Sequence, residues 1–105
     1  MSELPQCLMI VSVRVDPSME ADWNRWYDEV HLPEILACPG FETARRYVSE
    51  GDDGRDYITV YRLASPAAMA GEEFGRRRGW YRFAPHVRAS VRLFNATDAS
   101  GPAIF

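Results

Sequence analysis

His31 and His86 are the two imidazoles in a chain of 105 residues. An imidazole titrates near ~6.5, so each can take and return a proton at neutral pH. His31 follows Tyr27 by one helical turn, at the edge of a stripe that holds Trp23 and Trp26. Tyr47, Tyr57 and Tyr61 fall on two strand-like segments of one hairpin. Tyr47 with either partner can aim hydroxyls into one cavity, where a phenol orients or protonates a carbonyl oxygen. Each residue also has a plainer reading. His31 can bond carbonyls freed where Pro33 interrupts a helix, the tyrosines can be half-buried strand aromatics, and Trp23, Trp26 and Tyr27 can be core that also walls a pocket.

Arg76, Arg77 and Arg78 precede Trp80, Tyr81 and Phe83. The arginines read as a solvated loop, or as a clamp for a carboxylate or phosphate. The aromatics read as a lid over an aromatic ligand or as a dimer contact. Arg45 and Arg46 point to opposite faces of one strand, so one enters a buried layer and needs a partner, with Glu34 or Glu42 at hand. His86 opens the last strand.

Composition excludes several chemistries. All twelve basic residues are Arg, so a Schiff-base lysine and a P-loop are impossible. Two cysteines, Cys7 and Cys38, with two histidines are too few for an expected metal site. No G-x-S-x-G elbow is present. The net charge of −3 argues against nucleic acid. No early apolar run has signal-peptide or membrane-spanning form, so the expectation is a soluble, cytoplasmic protein without a membrane partner. On that expectation the sequon at Asn95-Ala96-Thr97 carries no weight.

The elements that must position these residues follow from periodicity. Gln6 to Val15 reads as a strand apolar on both faces for part of its length, hence set between two layers. A helix is expected from about Met19 to Val30 or His31, with Ser18 as its cap and Met19, Trp23, Trp26, Tyr27 and Val30 on its apolar stripe. Pro33 predicts a kink or break, then a short turn from Pro33 to Ala37. Phe41 to Ser49 and Asp56 to Leu63 form a hairpin, with Phe41, Thr43, Arg45 and Tyr47 sharing one face. A helix over Ala67 to Phe74, a loop from Gly75 to Gly79, a strand from His86 to Ala96 and a tail from Gly101-Pro102 complete one domain over 1–105. The order is βαββαβ, the α+β ferredoxin-like arrangement: a four-stranded antiparallel sheet with helices on one face. The other face needs cover, which a second copy of the chain would supply, giving a homodimer with two sheets face to face.

The run from Trp23 to Glu34, with Trp26-Tyr27, His31-Leu32-Pro33, and then Pro39-Gly40-Phe41 and Arg46-Tyr47, resembles the dimeric α/β-barrel superfamily, and most closely its small EthD-like proteins. The resemblance covers about half the chain. It implies a pocket between helices and sheet, where a His and a Tyr commonly serve as acid and base. His31 matches the histidine of the H-x-P step and Tyr47 the aromatic of the R-Y step. The expectation is a cofactor-independent enzyme acting by proton transfer (isomerisation, cyclisation, dehydration or decarboxylation) on an aromatic or polyketide-like small molecule. His31 would be its general base, Tyr47 a hydrogen-bonding acid and Arg46 an anion partner. Trp23, Trp26, Tyr27, Tyr61, Trp80, Tyr81 and His86 would line the substrate, with no metal or cofactor. The alternatives are a cofactor-free monooxygenase of a dihydroxyaromatic substrate, and a non-enzymatic ligand-binding or stress-related dimer with no cavity near His31.

Overall fold

The computed structural model describes residues 4–97, so the tail expected from Gly101-Pro102 lies outside the described residues. Strand β1 (Cys7–Val15) is followed by a 3-10 turn (Pro17–Met19) and helix α1 (Glu20–Trp26). A π-helical turn (Tyr27–His31) joins α1 to α2 (Leu32–Leu36). The hairpin is β2 (Phe41–Gly51) and β3 (Gly54–Leu63). A 3-10 turn (Pro66–Ala70), α3 (Glu72–Arg77), a second 3-10 segment (Tyr81–His86) and β4 (Val87–Asn95) complete the chain. The sheet order is β2-β3-β1-β4, with every neighbouring pair antiparallel. This is the expected α+β ferredoxin-like topology.

The alternation in β1 decides the layering. Cys7, Met9, Val11 and Val13 are buried beneath the helices, while Leu8, Ile10 and Ser12 between them stay partly open. On β3 the helix side carries Thr59, Tyr61 and Leu63, all buried. Register assigns the opposite face to Leu8, Ile10, Ile58, Val60, Tyr47 and Phe94, bordered by Arg45, Arg62 and Arg92.

The helix departs from expectation in its middle. Chain direction continues through Pro33 to Leu36, and the irregularity comes just before the proline. The Leu32 N–H reaches back five residues to the Tyr27 carbonyl. Pro33 lacks an N–H and its ring would press on the carbonyl four residues back in a regular α-helix; the wide turn takes up that defect. The turn also sets the buried face. Trp23, Tyr27, His31 and Ile35 are all buried and recur every four residues. In a regular α-helix of about 100° per residue, three such steps would swing the last residue roughly 120° away from the first. One extra residue held in the π turn removes most of that drift. Val30, expected on the apolar stripe, is 43% exposed for the same reason.

Three further boundaries differ from expectation. Glu42 sits in a register irregularity between Phe41 and Thr43, so Phe41 pairs with Leu63 and is buried under the helices, not beside Tyr47 on the open face. Gly71 is extended, which splits the expected helix over Ala67 to Phe74 into a 3-10 turn capped by Ser65 and a later α3 that includes Arg76 and Arg77. His86 ends a 3-10 segment, and the last strand begins at Val87. Gly40 is fixed by both backbone and space: its φ is +88°, and a Cβ there would sit 2.7 Å from that of Ala68.

Arg46 ties the helix to the sheet. It lies on the helix side of β2, opposite Thr59, and donates to Asp28 Oδ1 and Asn24 Oδ1 at 2.7 Å each. Its guanidinium lies 4.5 Å from the Tyr27 ring centre and 5.0 Å from that of Trp23. The partner is thus a pair of helix residues; Glu42 bonds Arg62 and Glu34 lies near Arg77. Asn24 continues the network to the Tyr57 hydroxyl, which donates to Glu20. Arg46→Ala is expected to cost about 2 kcal/mol, because a forked charge-assisted pair and its aromatic contacts vanish together. Arg46→Lys is expected to recover only part of it, since one ammonium cannot match the fork. Urea denaturation of the three proteins measures both.

Candidate active site

A cavity of about 90 Å³ lies between the helical run and the sheet. Tyr27, His31 and Ile35 wall it from the helix, Met9, Val11, Tyr61 and Val91 from the sheet, and Phe74, Arg78, Gly79 and Trp80 from the segment that follows. It is compact, smaller than the roughly 150 Å³ of a cavity that accepts benzene.

His31 is 5% exposed, and Nδ1 is buried without a hydrogen-bond partner. The ring stacks on Trp26 with centres 4.6 Å apart and planes at 15°. Tyr27 meets it edge-on at 5.0 Å, and Trp80 lies 5.6 Å away. Burial alone brings its pKa down to about 4, because the apolar surroundings disfavour the imidazolium. The group is therefore a neutral imidazole at pH 7. Beside it the Tyr27 and Tyr61 hydroxyls share a buried hydrogen bond of 3.0 Å. Burial raises the pKa of both, so both are neutral phenols. The cavity thus presents one free base and a coupled pair of hydroxyls, in mostly apolar surroundings where polar contacts are strong.

The other expected site residues are distributed unevenly. Trp80 lines the cavity. Trp26 backs His31 and stacks on Tyr81, which is 72% exposed and holds a left-handed backbone with φ of 52°. Trp23 is fully buried core. Tyr47 projects from the opposite face of the sheet and is 49% exposed, because its register partner Ile58 belongs to that face. Arg46 is engaged by Asn24 and Asp28, away from the cavity. His86 accompanies Asp16, with Nδ1 3.1 Å from the carboxylate. Ile35 was not singled out from sequence, and Arg78 only as one of three arginines read as a solvated loop or an anion clamp. The four-residue recurrence from Trp23 could have pointed to Ile35; nothing local marks Arg78 apart from its two arginine neighbours. Among the described residues, no group of three or more His, Cys, Asp or Glu is placed to hold a metal ion. Among them, no helix is long and apolar enough to cross a membrane.

A four-stranded antiparallel sheet in the order β2-β3-β1-β4, covered on one face by helices, defines a class by its fold: small ferredoxin-like α+β proteins. The chain belongs to the family described as a domain of unknown function (DUF4286), which matches residues 6–74. No curated protein matches it. Among solved structures it is similar to HapK from Hahella chejuensis, at 13% identity and a TM-score of 0.66, covering 92% of this chain and 98% of that one. It is similar to an ethyl tert-butyl ether degradation (EthD) family protein from Bacillus halodurans, at 13% identity and a TM-score of 0.63, covering 87% and 99%. It is also similar to SnoaB, a cofactor-independent oxygenase from Streptomyces nogalater, at 13% identity and a TM-score of 0.64, covering 90% and 96%. These likenesses establish the shared fold.

The depressed pKa of His31 has a thermodynamic consequence. Above pH ~6.5 the imidazole is neutral both folded and unfolded and contributes no pH dependence. Below that, the unfolded chain binds a proton that the folded chain refuses until about pH 4. Stability is expected to fall as pH drops from 6.5 to 4, by up to about 3 kcal/mol from this residue. Denaturant melts across that range should show a shallower slope for His31→Gln than for the wild type.

Proposed function

We propose that this protein is a small enzyme that moves a proton on an aromatic or polyketide-like small molecule without a cofactor, using His31 as general base. The observation that carries this reading is a buried, neutral, unpartnered imidazole beside a hydroxyl pair in one cavity. A base of such low proton affinity stays free at neutral pH. It takes a proton when the substrate anion forms beside it, because in a mostly apolar site that anion stabilises the imidazolium. Of the Tyr27–Tyr61 pair, the hydroxyl that accepts within the pair keeps its own proton and would donate it to the developing oxyanion, the role the sequence suggests for Tyr47. Trp80 and Trp26 would hold the flat body of the substrate. The compact cavity calls for movement of the Gly79–Tyr81 stretch on entry, which Gly79, with φ of +114°, permits. The uncovered sheet face, carrying Leu8, Ile10, Val60 and Phe94, is the surface on which two copies would meet.

A second reading, a cofactor-free monooxygenase, is favoured by the likeness in fold to SnoaB, whose description is that of a cofactor-independent oxygenase. The two part at oxygen: both begin with proton removal, but only the second consumes dioxygen.

The test is deuterium exchange at the carbon next to the carbonyl of a panel of aryl ketones and hydroxynaphthalenones in D₂O, followed by proton NMR, with an oxygen electrode in parallel. The wild type is expected to accelerate exchange on at least one compound. His31→Gln should lower that rate by about 100-fold or more, and Tyr61→Phe by less. Exchange that survives His31→Gln unchanged would remove His31 as the base. Oxygen uptake with a dihydroxyaromatic compound would establish the second reading.

A further inference from the structure

A second cleft, of about 440 Å³, opens on the outer side of the same wall. Trp26, Val30 and Tyr81 give it an apolar floor, and Arg76, Arg77 and Arg78 give it a basic rim. Arg78 and Gly79 line both this cleft and the inner cavity beside His31. Trp26 connects them as well, since its ring stacks on His31 and on Tyr81. The two spaces are therefore adjoining parts of one site with a guanidinium at their junction.

The three arginines are not equivalent. Arg76 bonds Glu73 and approaches Glu72 at 4.0 Å. Arg77 bonds Glu73 at 3.3 Å and lies 3.8 Å from Glu34, the acidic group on the cleft wall. Among the described residues, Arg78 has no carboxylate within ion-pair distance; its guanidinium lies 5.2 Å from the Phe74 ring centre. One uncommitted planar fork at the junction matches a single carboxylate in shape and charge. A dianionic phosphate would find the neighbouring two charges already neutralised.

We propose that the ligand of this site is an aromatic keto acid or its close kin: a carbonyl or enol head in the inner cavity, a carboxylate on Arg78, and an aromatic body along Trp26 and Tyr81 in the outer cleft. This rests on the reading of the His31 cavity as a small-molecule site and names the substrate class. Arg78 is a binding residue; it orients the head toward His31 and Tyr61.

The test compares benzoylformate with its methyl ester on the full chain, by calorimetry and by the proton NMR signals of His31. The acid is expected to bind about tenfold more tightly than the ester and to move the His31 signals. Arg78→Gln should erase that preference, and Arg78→Lys should restore part of it. Arg25→Gln, at an exposed position on α1, should leave it intact. If both compounds move the His31 signals with equal affinity, or the preference survives Arg78→Gln, the carboxylate anchor is overturned while the pocket stands. If phenyl phosphate binds more tightly than benzoylformate, the single-charge argument is overturned. If neither keto compound moves the His31 signals, the anchor and the small-molecule reading fall together.

Discussion

The helix over Glu20–Leu36 carries one residue more than its buried face needs, and the π turn at Tyr27–His31 is where that residue is stored. Everything at the site depends on it. Without the wide turn, four-residue spacing would carry Ile35 and His31 round toward solvent relative to Trp23. With it, an imidazole and a phenol, Tyr27, stand in successive turns over the sheet, against Tyr61. Pro33 favours the arrangement from below, because it removes the donor that a regular ladder would use. A helix that must present a polar ring to a mostly apolar cavity at a set height thus uses an irregular turn in place of a regular one, a use seen often at functional sites.

Polar groups sort onto two sides of the same aromatic layer. On one side Arg46 crosses from β2 to the helix, bonds Asn24 and Asp28, and packs on Trp23, Tyr27 and Tyr57. That side holds ionised groups with partners. On the other side His31, Tyr27 and Tyr61 face the cavity with no ionised partner bonded to them. Tyr27 belongs to both, with its ring under the Arg46 guanidinium and its hydroxyl in the cavity pair. The helix is held down by charge where charge is satisfied, which leaves His31 and the two hydroxyls free of ionised partners, with Arg78 as the charged group at the cavity's edge. A buried, uncharged imidazole of this kind is a candidate base for an organic acid bound beside it.

The topology was legible because strands and turns announce themselves locally: the β1 alternation, the Gly51-to-Gly54 turn and the Pro39-Gly40 break all lie where the sequence puts them. His31, Tyr27, Tyr61 and Trp80 were each named from residue type, and His31 also from the H-x-P resemblance, but beside Tyr47, Arg46 and His86, which do not line the cavity. What failed to show was geometry set by insertions. The extra residue in the helix and the register irregularity at Glu42 each shift faces by a fraction of a turn or by one strand position, so Val30 and Phe41 were assigned to the wrong faces. Tyr47 kept its strand face, but nothing in strand alternation says which face meets the helices. Arg78 was hidden in a run of three arginines read together as a solvated loop or an anion clamp; only the pairing of Arg76 and Arg77 with Glu73 and Glu34 separates it.

The central claim is that burial keeps His31 a neutral, unpartnered base inside a cavity. Proton NMR titration of the two histidines, assigned with His31→Gln, tests it most directly, since two ring signals are readily told apart. The account predicts that His31 titrates near pH 4 or fails to titrate before the protein unfolds. A His31 midpoint near ~6.5, the value of a solvated imidazole, would contradict the account and return the residue to the surface.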